Sequence, residues 1–224
     1  MLTDLRPDFK LLETMLWEPE DGIFLLDEHL QRLGKSAAYF DIPLDLHAVL
    51  ISLEEVGRTC AGVPHRIRLL VSREGTAELE MSPLDEGRAR SPSALRTARR
   101  SDSALIAALA AAPVDWQDIF LFHKTTHREV YEKAKAAFPE VDDVILWNER
   151  REVTESTIAN VVIQKDGRYI TPPVNCGLLA GTFRGHLLQS GEIEEGIITL
   201  KELEAADKIF LISSVRKWRS AELK

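Results

Sequence analysis

Apolar residues in the first 84 positions follow strand and helix spacings in turn. The segment from Phe9 to Trp17 can pair as a strand, and Gly22 to Leu26 forms a second apolar run. After this run, apolar residues recur at the spacing of one helix face, at Leu30, Leu33, Ala37 and Phe40. Asp27 stands just before these positions and is the expected N-cap. The pattern predicts a strand that leads into an amphipathic helix.

A second helix and a strand pair complete the predicted N-terminal part. Leu44 to Thr59 has a helical pattern, and His65 to Ser72 and Ala77 to Leu84 alternate like antiparallel strands. The turn-forming pair Glu74-Gly75 separates the two strands. We therefore predict a small α+β lobe over residues 1–105.

The composition changes between Gly87 and Pro113, where Ser, Ala and Arg become frequent. Leu95 to Ala98 resembles a short strand, and Ala104 to Ala112 is an alanine-rich run. We expect the connection between two lobes in this stretch, over residues 106–115.

Residues 116–224 are expected to form a larger C-terminal lobe. The apolar run Asp118 to Phe122 is followed by Thr126 and Glu129 at capping-box spacing, which predicts a helix reaching about Ala137. Three short strands are predicted next, at Asp143–Trp147, Asn160–Gln164 and Arg168–Thr171. Lys165-Asp166-Gly167 is a hairpin signal between the last two. A helix over Gly181–Gln189 and a buried strand over Lys208–Ser214 complete the prediction.

Charge and cysteine content exclude several classes of function. The formal net charge of −8 argues against a general nucleic-acid or membrane-surface role, so an anionic substrate would need local arginines. Cys60 and Cys176 are too few for a disulfide framework or a four-cysteine zinc site, and both are expected to be reduced thiols. Met1 to Leu12 lacks a signal-peptide pattern, and no run of about 18 apolar residues occurs. These features predict a cytoplasmic protein.

Lys124 is the strongest candidate for covalent chemistry. It ends an apolar run and precedes a capped helix, so its amine is expected at a strand end that faces a cleft. A partly desolvated lysine loses some of its preference for the charged form and can then attack an aldehyde and carry a proton. His123 and His127 flank it at i and i+4 spacing, but no third ligand is indicated, so no metal site is expected.

Four segments occur in an order that resembles a known family. They are His29-Leu30-Gln31-Arg32-Leu33, Phe122 to Arg128, Glu152 to Asn160, and Cys176 to Arg184. This order, from about Phe9 to Arg216, is similar to that of fold-type IV pyridoxal-phosphate enzymes, the class IV aminotransferases. The resemblance implies a two-lobed α+β fold like that of D-amino-acid aminotransferase, a homodimer, and pyridoxal 5′-phosphate (PLP) as cofactor.

The resemblance also implies roles for individual residues. Lys124 would bind the cofactor, and Glu155 would pair with the pyridine nitrogen so that the ring can accept electrons. Arg32 and the amides of Thr182 and Phe183 would hold the phosphate at a helix N-terminus. Further candidates are Ser213 and Ser214 as sources of a phosphate hydroxyl that Phe183 lacks, and Arg184 and Arg216 for a substrate carboxylate.

The turn after Trp147 departs from the family pattern. Glu149-Arg150-Arg151 stands where a glycine is usual, so we expect Asn148 to adopt the positive φ that such a turn needs.

Several phrases of the sequence resemble aminodeoxychorismate lyases. They are Leu-x-Glu-Thr-Met, His-Lys-Thr-Thr-x-Arg, Leu-Trp-Asn and Ser-Val-Arg-x-Trp. The expected reaction releases 4-aminobenzoate and pyruvate from 4-amino-4-deoxychorismate, in folate biosynthesis, with association or fusion to aminodeoxychorismate synthase as a further expectation. The alternatives are an aminotransferase for D-amino or branched-chain acids, and an inactive paralogue that binds PLP or a partner.

Overall fold

A computed structural model describes residues 7–59, 62–84 and 104–224. The chain divides into two compact units. Unit 1 combines Met1–Glu86 with His123–Arg128, and unit 2 combines Gly87–Phe122 with Glu129–Lys224. This division differs from the expected lobes at one important position, because Lys124 belongs with the N-terminal residues. The strand expected at Leu95–Ala98 and Cys60 lie outside the described residues.

Unit 1 is a four-stranded antiparallel sheet with two helices. Its strands are β1 (Leu11–Glu18), β2 (Gly22–Ile23), β3 (His65–Val71) and β4 (Ala77–Pro83), in the order β2-β1-β3-β4. Its helices are α1 (Leu26–Tyr39) and α2 (Leu46–Thr59). The sheet confirms the predicted strands, and α1 and α2 confirm the predicted helices.

The start of α1 corrects the expected N-cap. Leu25 occupies the N-cap position with φ 57°, so the helix begins at Leu26 and Asp27 lies inside its first turn. There the Asp27 carboxylate stabilises the helix through the positive end of its dipole instead of by capping. The helix places His29 and Leu33 on its buried face, and α1 packs against β1.

The segment His123–Arg128 runs beside β1. The Leu12 amide donates to the Lys124 carbonyl at 2.9 Å, and the Thr126 amide donates to the Lys10 carbonyl at 2.9 Å. Lys124 is therefore anchored along β1, which corrects its expected place at the end of a strand, since the preceding apolar residues Ile119–Leu121 form a 3₁₀ turn.

The expected capping box before the next helix is also wrong. That helix, α3, spans Glu129–Ala136, so its N-cap position is one residue before Glu129. The Thr126 hydroxyl instead accepts a hydrogen bond from the Lys10 amide at 2.9 Å. A capping box does occur later in the chain, where Thr199 and Glu202 start helix α5 (Leu200–Glu204).

Unit 2 is built on an eight-stranded sheet. The strands are β5 (Leu105–Leu109), β6 (Asp143–Trp147), β7 (Val153–Ser156), β8 (Asn160–Lys165), β9 (Arg168–Thr171), β10 (Glu194–Glu195), β11 (Lys208–Ser213) and β12 (Lys217–Leu223). Their order is β10-β9-β8-β11-β12-β5-β6-β7, and β7 also pairs with β8. The strands from β8 to β7 therefore close into a ring.

Helix α3 and helix α4 (Thr182–Gln189) pack on this sheet, α3 against β6 and α4 against β11. An apolar core lies among the strands, with Ile145, Val153, Val161 and Ile198 fully buried. Because β7 and most of β6 and β8 are buried on both faces, the polar side chains in them are buried as well and need hydrogen-bond partners.

Four strands of unit 2 differ from the sequence prediction, and one of them is the two-residue β10, which was not predicted. β5 lies in the alanine-rich run that was assigned to the connection over residues 106–115, and it pairs in parallel with both β6 and β12. β7 and β12 were not predicted. β7 has only four residues, and β12 mixes polar and apolar positions. Pairing on both sides supplies the stability that the weak strand propensity of these segments lacks.

Two turns show how local sequence shapes unit 2. Asp166 and Gly167 have φ of 52° and 76°, which confirms the predicted hairpin. In the turn after β6, Arg151 has φ 61°, so the expectation of a positive φ at Asn148 is wrong. The Asn148 side chain instead accepts from the amides of Arg150 and Glu152, which closes the turn without glycine.

Across the described ranges, no helix is both long enough and apolar enough to cross a membrane.

Candidate active site

In unit 1, a buried carboxylate joins β1 to α1. Glu13 points from the middle of β1 and is 1% exposed. Arg32 Nε donates to Glu13 Oε1 at 2.8 Å, and Arg32 Nη2 donates to Glu13 Oε2 at 2.5 Å. His29 Nδ1 lies 2.7 Å from the same Oε2. Both side chains of the His-x-x-Arg pattern are thus held by one glutamate.

The charges of this group are set by burial and by pairing. Burial alone raises the pKa of Glu13, but the charge and hydrogen bonds of Arg32, helped by His29, outweigh it and lower this pKa to about 2. Burial lowers the pKa of His29 below its usual value, although its hydrogen bond to Glu13 acts in the opposite direction. The group is therefore an ionised Glu13–Arg32 pair beside a neutral imidazole at neutral pH.

Lys124 lies close enough to this group to affect its charge. The positive charges of Arg32 and Lys124 both disfavour protonation of His29. Since the Lys124 backbone is bonded to β1 and its charge acts on α1, Lys124 and Arg32 share one region of unit 1. Arg32 keeps 13% of its side chain exposed, so its guanidinium is held in a fixed direction at the edge of that region.

The residue before Lys124 is fixed by its own contacts. His123 Nδ1 lies 3.0 Å from the Ser36 hydroxyl, and its ring is 4.4 Å from that of Tyr39 and 4.8 Å from that of Phe40. Burial lowers the pKa of His123. Among the residues described, no group of three or more His, Cys, Asp or Glu side chains is placed to hold a metal ion.

In unit 2, Glu155 lies where the ring of strands closes. β7 pairs with β8 only through the register Glu155↔Asn160. Glu155 is 5% exposed, and its neighbours Thr154 and Ser156 are also buried. The turn between the two strands is short, since the Ser156 hydroxyl bonds to the carbonyl of Ala159. The glutamate of the motif and the asparagine five residues later are therefore register partners across a tight turn between β7 and β8.

Several donors surround the Glu155 carboxylate. Tyr131 Oη donates to Oε1 at 2.8 Å, and the Leu179 amide donates to Oε1 at 3.2 Å. Asn160 Nδ2 lies 3.3 Å from Oε2. Such donors offset the cost of burying an ionised carboxylate and hold it in one orientation. A carboxylate fixed in this way can stabilise a proton on a ring nitrogen.

The amino end of α4 is suited to an anion. Gly181 is the N-cap, and no side chain caps the helix. Thr182 and Phe183 follow at 7% and 4% exposure, so their amides lie in a largely buried setting. The helix dipole and the first-turn amides together favour a phosphate. Within unit 2, these amides and the Glu155 carboxylate suit the phosphate and the ring nitrogen of a phosphorylated pyridine aldehyde, and Lys124 of unit 1 has an amine of the kind that can bond to its aldehyde.

Arg184 makes contacts within the protein, and its predicted contact with a substrate stays a prediction. Its side chain is 4% exposed, and its Nη2 donates to the Pro172 carbonyl at 2.7 Å and to Glu195 Oε1 at 2.5 Å. These bonds tie α4 to the segment after β9 and to β10.

The turn after β11 carries the remaining candidates. The Ser213 hydroxyl accepts from the Arg216 amide at 3.2 Å, and Ser214 is 8% exposed. Ser213, which was predicted to contact the phosphate, therefore closes this turn. The predicted contacts of Ser213 and Ser214 with phosphate and of Arg216 with substrate stay predictions, as does the phosphate contact of Arg32.

Sequence reasoning missed the partners of the candidate residues. Glu13 was part of a recognised motif but had no role, and Tyr131 and Leu179 were not considered. A buried strand interrupted by a single glutamate was the available signal for Glu13. Tyr131 stands seven residues after Lys124 and could not be related to Glu155 without the tertiary structure.

Comparison with known proteins confirms the family resemblance and the fold-type IV assignment. The family model described as "Amino-transferase class IV" matches residues 10–222. A protein of Schizosaccharomyces pombe named "Putative aminodeoxychorismate lyase" is 30% identical over 216 residues, which is 92% of this chain and 86% of that protein. A "Putative branched-chain-amino-acid aminotransferase" of Methanocaldococcus jannaschii is 29% identical over 85% of this chain and 70% of its own length.

A solved structure agrees in fold. It is a "Putative amino-acid aminotransferase" from Mesorhizobium loti, 34% identical to this chain, with a TM-score of 0.85. The match covers 97% of this chain and 100% of the solved chain.

The low pKa of Glu13 predicts a specific dependence of stability on pH. Its pKa is about 2 in the folded protein against 4.5 ordinarily, so ionised Glu13 stabilises the fold above about pH 4.5 and this contribution is lost as the pH falls towards 2. The shift corresponds to about 3 kcal/mol. Glu13→Gln should be less stable than wild type at pH 7, and the difference should shrink between pH 5 and pH 2, as measured by urea unfolding. A difference that is independent of pH would contradict the ionised pair.

Proposed function

The chain belongs to the class IV aminotransferase family, and on this premise we propose that it is a PLP-dependent lyase that converts 4-amino-4-deoxychorismate into 4-aminobenzoate and pyruvate. Family members are PLP-dependent enzymes. The observation that carries the proposal is the buried Glu155 carboxylate, which is held by Tyr131, Leu179 and Asn160. The same unit contains the amino end of α4, which no side chain caps. A carboxylate and an anion site together match the pyridine nitrogen and the phosphate.

Each residue has a defined task in this proposal. Lys124 binds the cofactor aldehyde through its amine, and the bound cofactor supplies a ring that accepts electrons from the substrate. Glu155 keeps a proton on the pyridine nitrogen. The amides of Thr182 and Phe183 bind the phosphate, and Arg32, fixed by Glu13, adds positive charge.

The proposed reaction needs one base and no second substrate. With the cofactor bound, Lys124 would be the base that removes the proton at C4 of the substrate. The C3–O bond to the enolpyruvyl group then breaks, the ring becomes aromatic, and the departing group takes up a proton to become pyruvate. Lys124 is the expected donor of that proton. No oxidant or reductant is consumed, so a lysine and a fixed carboxylate suffice.

The choice of the lyase reaction rests on likeness to named relatives. The S. pombe protein carries that name and covers 92% of this chain. The phrases Leu-x-Glu-Thr-Met and Ser-Val-Arg-x-Trp support the same choice. The first of them contains Glu13, which this structure connects to Arg32.

Aminotransferase activity on an amino acid is the second candidate. The likeness to the M. loti structure, with a TM-score of 0.85, favours it, as does the relative named as a branched-chain aminotransferase. The two activities share the binding of cofactor and the removal of a proton. They differ in the fate of the amino group of the substrate. An aminotransferase transfers it to the cofactor, whereas the lyase leaves it on the product.

Incubation with 4-amino-4-deoxychorismate separates the two activities. PLP-loaded protein should release 4-aminobenzoate and pyruvate in equal amounts, because one substrate molecule yields one of each. Both products are measured by chromatography, with protein treated without PLP as the control. If neither product forms, and D-alanine or a branched-chain amino acid converts the cofactor to its amine form, the aminotransferase activity is correct instead.

The role of Lys124 predicts the loss of a covalent adduct. In Lys124→Ala no amine remains to attack the aldehyde, so borohydride treatment should leave no cofactor mass on the peptide that contains residue 124. Activity should fall by at least about 10³-fold, as expected when a nucleophile that is also the base is removed. Lys10→Ala is a matched control, because Lys10 lies beside the same segment in unit 1 and its side chain forms an exposed ion pair with Glu78. A fixed adduct at another lysine of Lys124→Ala would refute the assignment.

A further inference from the structure

One asparagine contacts both halves of the candidate site in unit 2. Asn160 Nδ2 lies 3.3 Å from Glu155 Oε2 and donates to the Leu179 carbonyl at 2.9 Å. The Leu179 amide in turn donates to Glu155 Oε1 at 3.2 Å. The side-chain amide and the backbone of Leu179 thus bracket the carboxylate. The chain continues from Leu179 through Ala180 to Gly181, the N-cap of α4.

The other atom of the same amide packs against that N-cap. A Cβ built on Gly181 would lie 2.0 Å from Asn160 Oδ1 and 3.2 Å from its Cγ. Asn160 is 6% exposed and is held by two hydrogen bonds, so its side chain has little freedom to withdraw. The glycine therefore allows the amino end of α4 to approach Asn160 at a distance that no other residue permits.

We propose that Asn160 is a positioning residue that fixes the separation between the Glu155 carboxylate and the amino end of α4. The inference rests on the proposed function, since it assigns these two groups to the pyridine nitrogen and the phosphate of one cofactor. The pyridine ring of PLP is rigid and carries the phosphate on one short arm, so the distance between these two ends is confined to a narrow range. A site that binds both ends at once must hold its carboxylate and its amides at a matching separation.

Two further features support a positioning role over simple packing. Glu155 and Asn160 are direct partners in the β7–β8 register, so the asparagine is fixed to the strand opposite the carboxylate. Its contacts also lie in sequence at Leu179 and Gly181, just before the amides of Thr182 and Phe183. A change at Asn160 therefore moves both ends of the site relative to each other.

Pyridoxamine 5′-phosphate is the probe for this proposal, because it cannot react with Lys124 and its affinity reports only the ring and phosphate contacts. Pyridoxamine, which lacks the phosphate, is the second probe. The variants are Asn160→Ala, Gly181→Ala and the double variant. Gly185→Ala is the matched control, because Gly185 lies in the same helix and a Cβ there would meet nothing within 4 Å.

Gly181→Ala should weaken binding of pyridoxamine 5′-phosphate by at least about tenfold, and Gly185→Ala should leave it unchanged. The double variant should bind no more weakly than Asn160→Ala alone, because removal of the amide also removes the clash. In Asn160→Ala the affinity ratio between the two probes should fall, since the phosphate and the ring no longer fit together. A loss of packing alone would weaken both probes equally.

The outcomes separate this inference from the proposed function. If wild-type protein binds neither PLP nor pyridoxamine 5′-phosphate, the proposed function fails. If wild type binds both and Gly181→Ala binds as tightly as Gly185→Ala, the positioning role is refuted and the proposed function stands. Additive losses in the double variant, or an unchanged probe ratio in Asn160→Ala, would also refute it. Urea unfolding of each variant without ligand identifies any that fail to fold.

Discussion

The burial of a carboxylate at the closure of a strand ring is the constraint on which the candidate site depends. An ionised carboxylate in this setting costs several kcal/mol unless donors surround it. Glu155 receives hydrogen bonds from Tyr131 on α3 and from the Leu179 amide, and Asn160 on β8 lies beside its second oxygen. Three different segments of unit 2 are thus held to one side chain. The fold and the proposed chemistry share the same atoms.

Unit 1 shows the same principle with different residues. Glu13 in β1 holds Arg32 and His29 of α1, and burial would be unfavourable for each of these groups alone. Their pairing fixes the direction of a guanidinium whose side chain remains 13% exposed. A cation prepared in this way loses little conformational entropy when an anion binds. The side chains of the His-x-x-Arg motif are therefore oriented by the glutamate of the preceding strand.

Local apolar periodicity allowed most strands and the main helices to be predicted, whereas the fold-type IV family was predicted from the order of four motifs that resemble it. β5 was missed because alanine has low strand propensity, and only its parallel neighbours β6 and β12 make it a strand. Lys124 was expected at the end of a strand, but the apolar residues Ile119–Leu121 before it form a 3₁₀ turn.

Site residues divide in the same way between local and long-range causes. Glu155 and Asn160 could be identified from their spacing, which reflects a short strand closure. Tyr131 and Leu179 stand 24 residues from Glu155 on either side, so no local pattern connects them. The internal partners of Arg184, Pro172 and Glu195, could not be predicted because they come together only in the folded unit. The spacing of residues along the sequence therefore suggests candidate site residues, and the tertiary structure shows which side chains and backbone groups contact them.

The proposed role of Glu155 is tested most directly by the protonation state of the pyridine nitrogen of PLP, compared between wild type and Glu155→Gln. Nitrogen-15 NMR of labelled cofactor distinguishes a protonated from an unprotonated ring nitrogen. We predict a protonated nitrogen in wild type and an unprotonated one in Glu155→Gln at equal cofactor occupancy. Turnover of Glu155→Gln should be slower than that of wild type by a factor of about 10² to 10⁴. A nitrogen that stays protonated in Glu155→Gln, with normal turnover, would contradict this role.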